Sequence, residues 1–150
     1  MFKVFYEDMA VGSEESFGSY TASKDEIIEF ASKYDPQPFH IDEDMAKQSV
    51  FGNLCASGWH TCAMTMRILV DHLMERGVAS MGSPGVDGIK WKRPLFPGDT
   101  LNVRGEILEK RDSQSRPNLG LVKSRYSVFN QDDELLMEMV TNVMMLKRAP

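Results

Sequence analysis

One segment of the chain, residues 58–76, constrains the fold more than any other, because it has a helical pattern but almost no charge in its first half. It reads GWHTCAMTMRILVDHLMER, carries no charged residue before Arg67, and is followed by Gly77, a residue type that commonly ends helices. We predict a helix that starts near Ser57 or Gly58, ends at Arg76 and is roughly 28 Å long. Helices that are apolar on nearly all sides are usually buried on most faces, so this one predicts a central element.

The second half of the chain predicts β-strands that can cover this helix. Four stretches rich in β-branched and apolar residues are separated by turn sequences, and short links between strands imply antiparallel pairing. A further strand is expected around residues 13–20, and shorter helices after the capping-box sequence Ser23–Glu26 and over residues 42–48. The predicted class is α+β, with one curved antiparallel sheet wrapping the long helix in a single domain, residues 1–150. The four strand predictions are Val86–Lys92, Thr100–Arg111, Leu119–Asn130 and Glu134–Leu146.

The composition argues against several classes of protein. The chain has 17 Lys and Arg against 22 Asp and Glu, and the net charge of −5 argues against a nucleic-acid binder held by phosphate contacts. Two cysteines, Cys55 and Cys62, are too few for a disulfide framework or a cysteine-based zinc site. No spacing of histidines and carboxylates indicates a metal, and we expect no cofactor. Since no signal-peptide, membrane-span or lipidation pattern is present, we expect a cytoplasmic protein that does not bind membranes.

The strongest chemical signal is the segment YDPQPFHID, residues 34–42, in which two prolines stiffen a turn between Asp35 and His40. A rigid turn suits catalytic groups, because their geometry must hold within a fraction of an ångström. An Asp and a His at this spacing can converge on one water molecule, with the carboxylate accepting its proton. The spacing also fits a proline-rich turn in which Asp35 is a capping residue and His40 packs for its shape.

The start of the long helix is a second candidate site. Gly58 would present an amide with no side chain in front of it, and free amides at a helix N-terminus favour a carbonyl or a developing oxyanion. The alternative is that Ser57 serves only as the N-cap of the helix and Gly58 as a point of close packing.

A third candidate is the local cluster of cations formed by Lys90, Lys92 and Arg93 around an aromatic residue. In an acidic protein such a cluster suits a phosphate-bearing ligand, and alternation along a strand would place both lysines on one face. The alternative is a solvated edge strand, in which lysines discourage pairing with another chain.

Three landmarks, in order along the chain, carry a resemblance to a known family. They are DPQPFHID at residues 35–42, ASG at residues 56–58 and RPLFPGDT at residues 93–100. Together they resemble the MaoC-like dehydratases, the (R)-specific enoyl-CoA hydratase group of the hotdog fold, over roughly residues 13–146. The first landmark is the most specific, since the catalytic Asp and His of that family have the spacing of Asp35 and His40. The resemblance implies a hotdog fold, a long helix wrapped by an antiparallel sheet.

The resemblance also implies a reaction, the addition of water to the double bond of a trans-2-enoyl-CoA thioester. Asp35 would take a proton from the water, His40 would hold the water and deliver a proton to the α-carbon, and the Gly58 amide would stabilise the thioester oxygen. Members of the family form dimers or larger assemblies with the acyl tunnel near the subunit interface, so a homodimer or larger homo-oligomer is expected.

Two positions depart from the family pattern. Gln37 stands where the family usually has Asn, and Ser57 stands where His commonly precedes the helix-opening glycine. Both touch the expected pocket, and neither removes a proposed catalytic group, so the substrate is less constrained than the reaction. Trp59, directly after Gly58, is bulky and is expected to shorten the acyl site, which makes a short or polar acyl group at least as suitable as a long one.

Two other functions stay open. A hotdog thioesterase would need a carboxylate from the long helix, which offers only Asp71 and Glu75 toward its far end. A non-catalytic subunit that binds acyl thioesters would have no need for Asp35 and His40.

Overall fold

The computed structural model describes residues 1–150 and contains a five-stranded sheet, one long helix and three shorter helices. A 3-10 turn, Tyr6–Asp8, precedes the first strand. Each of the five predicted strands is confirmed within one residue of its expected ends, and the long helix runs from Gly58 as predicted. No helix is both long and apolar enough to cross a membrane. The elements are β1 Glu14–Thr21, α1 Lys24–Tyr34, α2 Pro38–Ile41, α3 Glu43–Lys47, α4 Gly58–Arg76, β2 Gly85–Trp91, β3 Thr100–Asp112, β4 Leu119–Phe129 and β5 Leu135–Leu146.

All strand pairs in the sheet are antiparallel, and the strands lie in the order β1-β3-β4-β5-β2. The antiparallel pairing predicted from the short links is confirmed for the last three strands, and β1 and β2 form the two edges. On the inner face, Val103, Val128 and Met137 lie side by side across β3, β4 and β5, and all three are fully buried. Along the first half of β3, buried residues alternate with exposed ones, so one face of the sheet covers the core.

The helix α4 packs against the inner face of this sheet. Met64, Thr65, Ile68 and Leu69 are buried on the side of the helix that faces the core. A glycine in β1 permits the close approach, because a Cβ on Gly18 would lie 1.9 Å from Cγ2 of Ile68. The φ of Gly18 is also +76°, a conformation that favours glycine.

The prediction that α4 is buried on most of its faces is wrong. Trp59, Met66, Val70 and Met74 lie away from the sheet and expose between 43% and 76% of their surface. We call these four residues the α4 stripe. A lack of charge shows that a helix face avoids water, but it does not tell whether the same chain or another molecule covers that face. Exposed apolar patches of this kind commonly mark interaction surfaces.

The connection between α1 and α4 also differs in detail from the prediction. Ser23 caps α1 by accepting a hydrogen bond from the amide of Glu26, but the Glu26 carboxylate turns toward Tyr20 instead of completing the capping box. Pro38 does not exclude helix, because it is the first residue of α2, where its missing amide is not needed. His40 consequently lies on a helical turn, and Asp42 caps the following helix α3.

Candidate active site

The chain turns directly after α1, and this turn brings the side chains of Asp35 and His40 together. Asp35 caps α1, its amide donating to the carbonyl of Ala31 at 2.8 Å. The amide of His40 donates to the carbonyl of Gln37 at 2.9 Å, which closes the first turn of α2. As a result, Oδ2 of Asp35 lies 3.5 Å from Nε2 of His40. The structure thus places side by side the two groups that the sequence spacing selected.

The protonation of the His40 ring follows from its other nitrogen. Nδ1 lies 2.6 Å from the backbone carbonyl oxygen of Cys55, and because a carbonyl oxygen only accepts, Nδ1 carries the proton. In the neutral ring, Nε2 therefore presents a lone pair toward Asp35. A carboxylate and a lone pair cannot bond to each other, but both can accept from one water molecule. The two side chains expose only 7% and 17% of their surface, which limits competition from bulk water.

The Asp35 carboxylate is held in its ionised form by neutral hydrogen-bond donors. Oδ2 accepts from the hydroxyl of Ser57 at 2.6 Å, and Oδ1 accepts from the side-chain amide of Gln37 at 2.8 Å. Burial pushes the pKa of Asp35 upward, but these two hydrogen bonds, joined by the charge of His40 when that ring is protonated, outweigh it, so the pKa lies below its ordinary value. At neutral pH, Asp35 is a carboxylate that can accept a proton.

The first residues of α4 lie against the same pair. Ser57 is fully buried and, besides donating to Asp35, accepts from the amide of Trp59 at 3.3 Å as the N-cap. The Gly58 amide has no hydrogen-bond partner within the chain. A Cβ at position 58 would lie 2.6 Å from Cε2 of Trp91, whose indole Nε1 donates to the Gly58 carbonyl at 2.9 Å. Close packing and a free amide, which the sequence left as alternatives, are both present.

A cavity of about 410 Å³ opens onto this arrangement. Ser57 lies behind Asp35, outside the cavity lining, and Lys90 does not line it either. The predicted residues that do line the cavity are Asp35, Gln37, His40, Gly58, Trp59, Lys92 and Arg93. Sequence reasoning missed Phe39, Phe51 and Trp91 as parts of the wall. In the sequence, the only indication that Trp91 belongs to the site was its position inside the basic cluster.

The two lysines of the basic cluster do not share one environment, contrary to the expectation from strand alternation. The strand β2 ends at Trp91, so alternation does not extend to Lys92, which turns to the cavity while Lys90 stays outside it. Arg93 also lies at the cavity, with its Nη1 3.0 Å from Oε2 of Glu134. Lys92 forms no ion pair within the chain and is the free cation of this wall.

Another groove of similar size, about 430 Å³, runs across β3, β4, β5 and β2 and contains no histidine. Its charged side chains are largely paired with each other, as Lys123 is with Asp87 at 3.1 Å. The adjacent Asp35 and His40 side chains therefore distinguish the first cavity from this groove.

The cysteines do not supply a nucleophile. Burial raises the pKa of the Cys55 thiol to about 11 and also raises the pKa of Cys62, so both thiols are neutral near neutral pH. Cys55 contributes to the site through its backbone carbonyl, which orients His40. No group of three or more His, Cys, Asp or Glu side chains is arranged to hold a metal ion.

Comparison with known proteins gives the family. The sequence model that describes the MaoC-like domain family matches residues 9–127 of the chain. The chain belongs to this family. The match includes both Asp35 and His40 and extends from before β1 into β4.

Sequence and structure similarity to individual proteins supports this family membership. The chain is 27% identical over 132 residues to the uncharacterised protein YdeM of Bacillus subtilis, covering 88% of this chain and 92% of that one. It is 29% identical over 112 residues to the (R)-specific enoyl-CoA hydratase of Rhodospirillum rubrum, covering 71% of this chain and 74% of that one. The crystal structure of a MaoC-like dehydratase from Rhodospirillum rubrum superposes with a TM-score of 0.88 at 36% identity, covering 99% and 100% of the two chains. The hotdog fold predicted from the sequence is confirmed.

Proposed function

We propose that this MaoC-like protein adds water to a trans-2-enoyl-CoA thioester to give a 3-hydroxyacyl-CoA, or catalyses the reverse dehydration. One observation carries the proposal: an ionised Asp35, a His40 with its lone pair on Nε2 and an unpartnered Gly58 amide converge on one cavity. Hydration needs these three things, a base, a second acceptor that orients the water, and a donor for the thioester oxygen. Family membership and the hydratase relative support the reaction class.

In the proposed reaction, water donates one O–H to Asp35 and the other to Nε2 of His40. Asp35 takes its proton as the water oxygen bonds to the β-carbon, and the electron pair of the double bond moves toward the thioester oxygen at the Gly58 amide. Protonated Asp35 then returns the proton to the α-carbon, so that H and OH have added across the double bond. This assignment differs from the role that the resemblance gave to His40, because a neutral His40 bonded through Nδ1 to Cys55 has no proton on Nε2 to deliver.

The cavity supports a short or polar acyl group. Its volume, about 410 Å³, is near the lower end for small-molecule pockets. Trp59 and Trp91 pack edge to face at its wall, with ring centroids 5.3 Å apart, and both lie close to Gly58. For the carrier, Lys92 is the free cation best placed to bind a phosphate of CoA, with Arg93 beside it.

A panel of enoyl-CoA and 3-hydroxyacyl-CoA thioesters of increasing acyl length tests this proposal. Enoyl absorbance and free thiol are followed together in each reaction. We expect loss of enoyl absorbance without thiol release, fastest for the short acyl groups. Thiol release would identify a thioesterase instead, and binding without any turnover across the panel would identify a non-catalytic acyl-thioester-binding subunit.

The thioesterase alternative receives no support from the position of the carboxylates on α4. Asp71 is exposed and pairs with Arg67 at 2.9 Å, and neither Asp71 nor Glu75 lines the cavity. A carboxylate that attacks or activates water at the thioester carbonyl would have to come from elsewhere.

We also propose that the protein is a homodimer or a larger homo-oligomer. Two uncovered features, the α4 stripe and the free edge of β2, form one continuous surface, because Trp59 of the stripe contacts Trp91 at the end of β2. A second copy related by a two-fold axis would cover both features at once.

The molar mass in solution tests this assembly. Wild-type protein is expected to sediment with the mass of at least two chains, and Met66→Lys, in the middle of the α4 stripe, is expected to lower that mass. Glu29→Lys, at an exposed position of α1 outside the stripe, is the control and should leave the mass unchanged. A wild-type protein that sediments as a single chain contradicts the proposal.

A further inference from the structure

A second contact between a histidine and a carboxylate links α1 to α4 outside the active-site cavity. His60, in the first turn of α4, exposes 3% of its surface, and its Nε2 lies 3.6 Å from Oε1 of Glu26 in α1. The same carboxylate oxygen accepts a hydrogen bond from the hydroxyl of Tyr20 in β1. The ring of Phe30 stacks on one face of the His60 ring, with centroids 4.4 Å apart. We call Tyr20, Glu26 and His60 the α1–α4 clamp.

The clamp acts on the two helices whose ends carry Asp35 and Ser57. Asp35 directly follows α1, Ser57 directly precedes α4, and the 2.6 Å hydrogen bond between their side chains spans the two helices. The amide of His60 donates to the Ser57 carbonyl at 2.9 Å, so His60 of the clamp and Ser57 belong to the same turn at the start of α4. The contact between Glu26 and His60 is the one polar side-chain contact between α1 and α4 themselves.

His60 is held in its neutral form within the clamp. Burial lowers the pKa of His60, and the nearby Glu26 carboxylate opposes this shift without cancelling it. Nδ1 is buried and has no partner, so the proton of the neutral ring belongs on Nε2, where it faces Glu26. Arg67 and Asp71, the other charged residues beside His60, pair with each other at 2.9 Å. The Glu26 carboxylate is therefore the charge that acts on the ring.

We propose that Tyr20, Glu26 and His60 are positioning residues for Asp35 and Ser57. By fixing α1 against α4, the clamp keeps the Ser57 hydroxyl within hydrogen-bonding distance of the Asp35 carboxylate, and so keeps that carboxylate ionised and correctly placed. The kinetic consequence rests on the proposed function, whereas the consequence for the Asp35 carboxyl group does not. A displacement of about 1 Å in catalytic geometry can cost about a hundredfold in rate, so a partial loss of the clamp has a measurable effect.

The test compares Glu26→Gln with Glu29→Gln, a matched change at an exposed position of the same helix that has no hydrogen-bond or ion-pair partner. The first readout is the pKa of Asp35, measured by NMR titration of its carboxyl carbon. The second is kcat and KM for crotonyl-CoA hydration. We expect Glu26→Gln to raise the pKa of Asp35 toward its ordinary value and to lower kcat about tenfold, with KM changed by less than about twofold. Glu29→Gln should change neither readout.

Tyr20→Phe removes one hydrogen bond of the clamp without changing any charge, and it is expected to move both readouts in the same direction by a smaller amount. It also replaces Glu26→Gln as the deciding variant if that protein does not fold. An unchanged pKa of Asp35 in the folded variant overturns the proposal even if the melting temperature falls, because a merely structural role would lower stability alone. If the wild type hydrates no enoyl thioester, the proposed function fails while the Asp35 titration still decides the role of the clamp.

Discussion

Each end of α4 has a histidine next to a carboxylate, but the surroundings of the two pairs differ. At the N-terminal end, Nε2 of His40 lies 3.5 Å from Asp35, and at the C-terminal end, Nε2 of His72 lies 3.1 Å from Glu15. The pair at the C-terminal end is the closer of the two. The distance between a histidine and a carboxylate therefore does not by itself indicate where water can be activated.

The partners of each carboxylate make the first difference. Glu15 accepts two hydrogen bonds from Arg76 at 3.0 Å, so its charge is already neutralised by a permanent cation. The ring of His72 stacks on Phe17 with centroids 3.9 Å apart, which covers one of its faces. Asp35 accepts from neutral donors instead and retains its charge to attract a proton.

The direction of the helix makes the second difference. At the N-terminal end, Gly58 presents an unpartnered amide at the positive end of the helix dipole. At the C-terminal end, the amide of Gly77 donates to the carbonyls of Leu73 and Met74, and the dipole is negative. Negative charge that develops on a thioester oxygen would be stabilised only at the first end.

Replacing the histidine at each end of α4 with alanine is expected to give the largest difference in kcat between the two ends. His40→Ala removes the group that we propose orients the water, and we expect kcat for crotonyl-CoA hydration to fall about a thousandfold. His72→Ala, at the other end of α4, should leave kcat within about twofold of the wild type. Circular dichroism checks that both proteins are folded. Comparable losses of kcat in the two folded variants would break the distinction between the ends.

Gly58→Ala tests the free amide and its packing. A Cβ there collides with Trp91, and the displacement of the first turn of α4 is expected to lower kcat about a hundredfold. Gly88→Ala is the control, because a Cβ at that position of β2 has no atom within 4 Å and the φ there is not positive. Steady-state kinetics that show equal kcat for the two alanine variants would contradict an oxyanion role for Gly58.

Ser57→Ala tests how the Asp35 carboxylate is kept ionised. In the proposed reaction Asp35 acts as a base in its ionised form, so its pKa would set the lower pH limit of kcat/KM. The pKa is lowered in part by the Ser57 hydrogen bond, and removal of that bond raises it, which moves the limit to higher pH. We expect that shift in the pH profile together with a loss of about tenfold in kcat. An acid limit at the wild-type position would show that Ser57 does not tune Asp35.

The smallest expected effect is the change in KM on removing the free positive charge of Lys92, at the N-terminal end of α4. Lys92 has no ion-pair partner and lines the cavity, whereas Arg76 at the other end is paired with Glu15. Lys92→Ala should raise KM for a CoA thioester about fivefold at low salt and less at high salt, because screening weakens the contact. Lys90→Ala, just outside the cavity, is the control and should raise KM less. The idea fails if Lys92→Ala leaves KM unchanged at low salt.

Local patterns predicted the parts of the molecule that depend on neighbouring residues. Stretches of β-branched and apolar residues between turn sequences predicted the strands within one residue. The proline-stiffened spacing of Asp35 and His40 predicted that their side chains lie close together. The capping residue Ser57 and the terminal glycine Gly77 predicted both ends of α4.

Long-range contacts determine the rest of the site, and no local pattern contains them. Ser57 reaches Asp35 across 22 positions, and Trp91 covers Gly58 across 33 positions. The exposure of the α4 stripe was mispredicted for a related reason, since apolar composition reports that a face avoids water and not what covers it. The protonation of His40 depends on a distant backbone carbonyl, which only the structure supplies.

The most direct test of the central claim, that Asp35 at the N-terminal end of α4 activates water for addition to the double bond, follows the oxygen of that water. Crotonyl-CoA is incubated in water enriched in heavy oxygen with wild type, Asp35→Asn and Glu15→Gln, and the products are analysed by mass spectrometry. The expected result is an intact 3-hydroxyacyl thioester with one heavy oxygen in its hydroxyl group, formed by wild type and Glu15→Gln and not by Asp35→Asn. Labelled product formed by Asp35→Asn at the wild-type rate, or heavy oxygen in a free carboxylate, would contradict it.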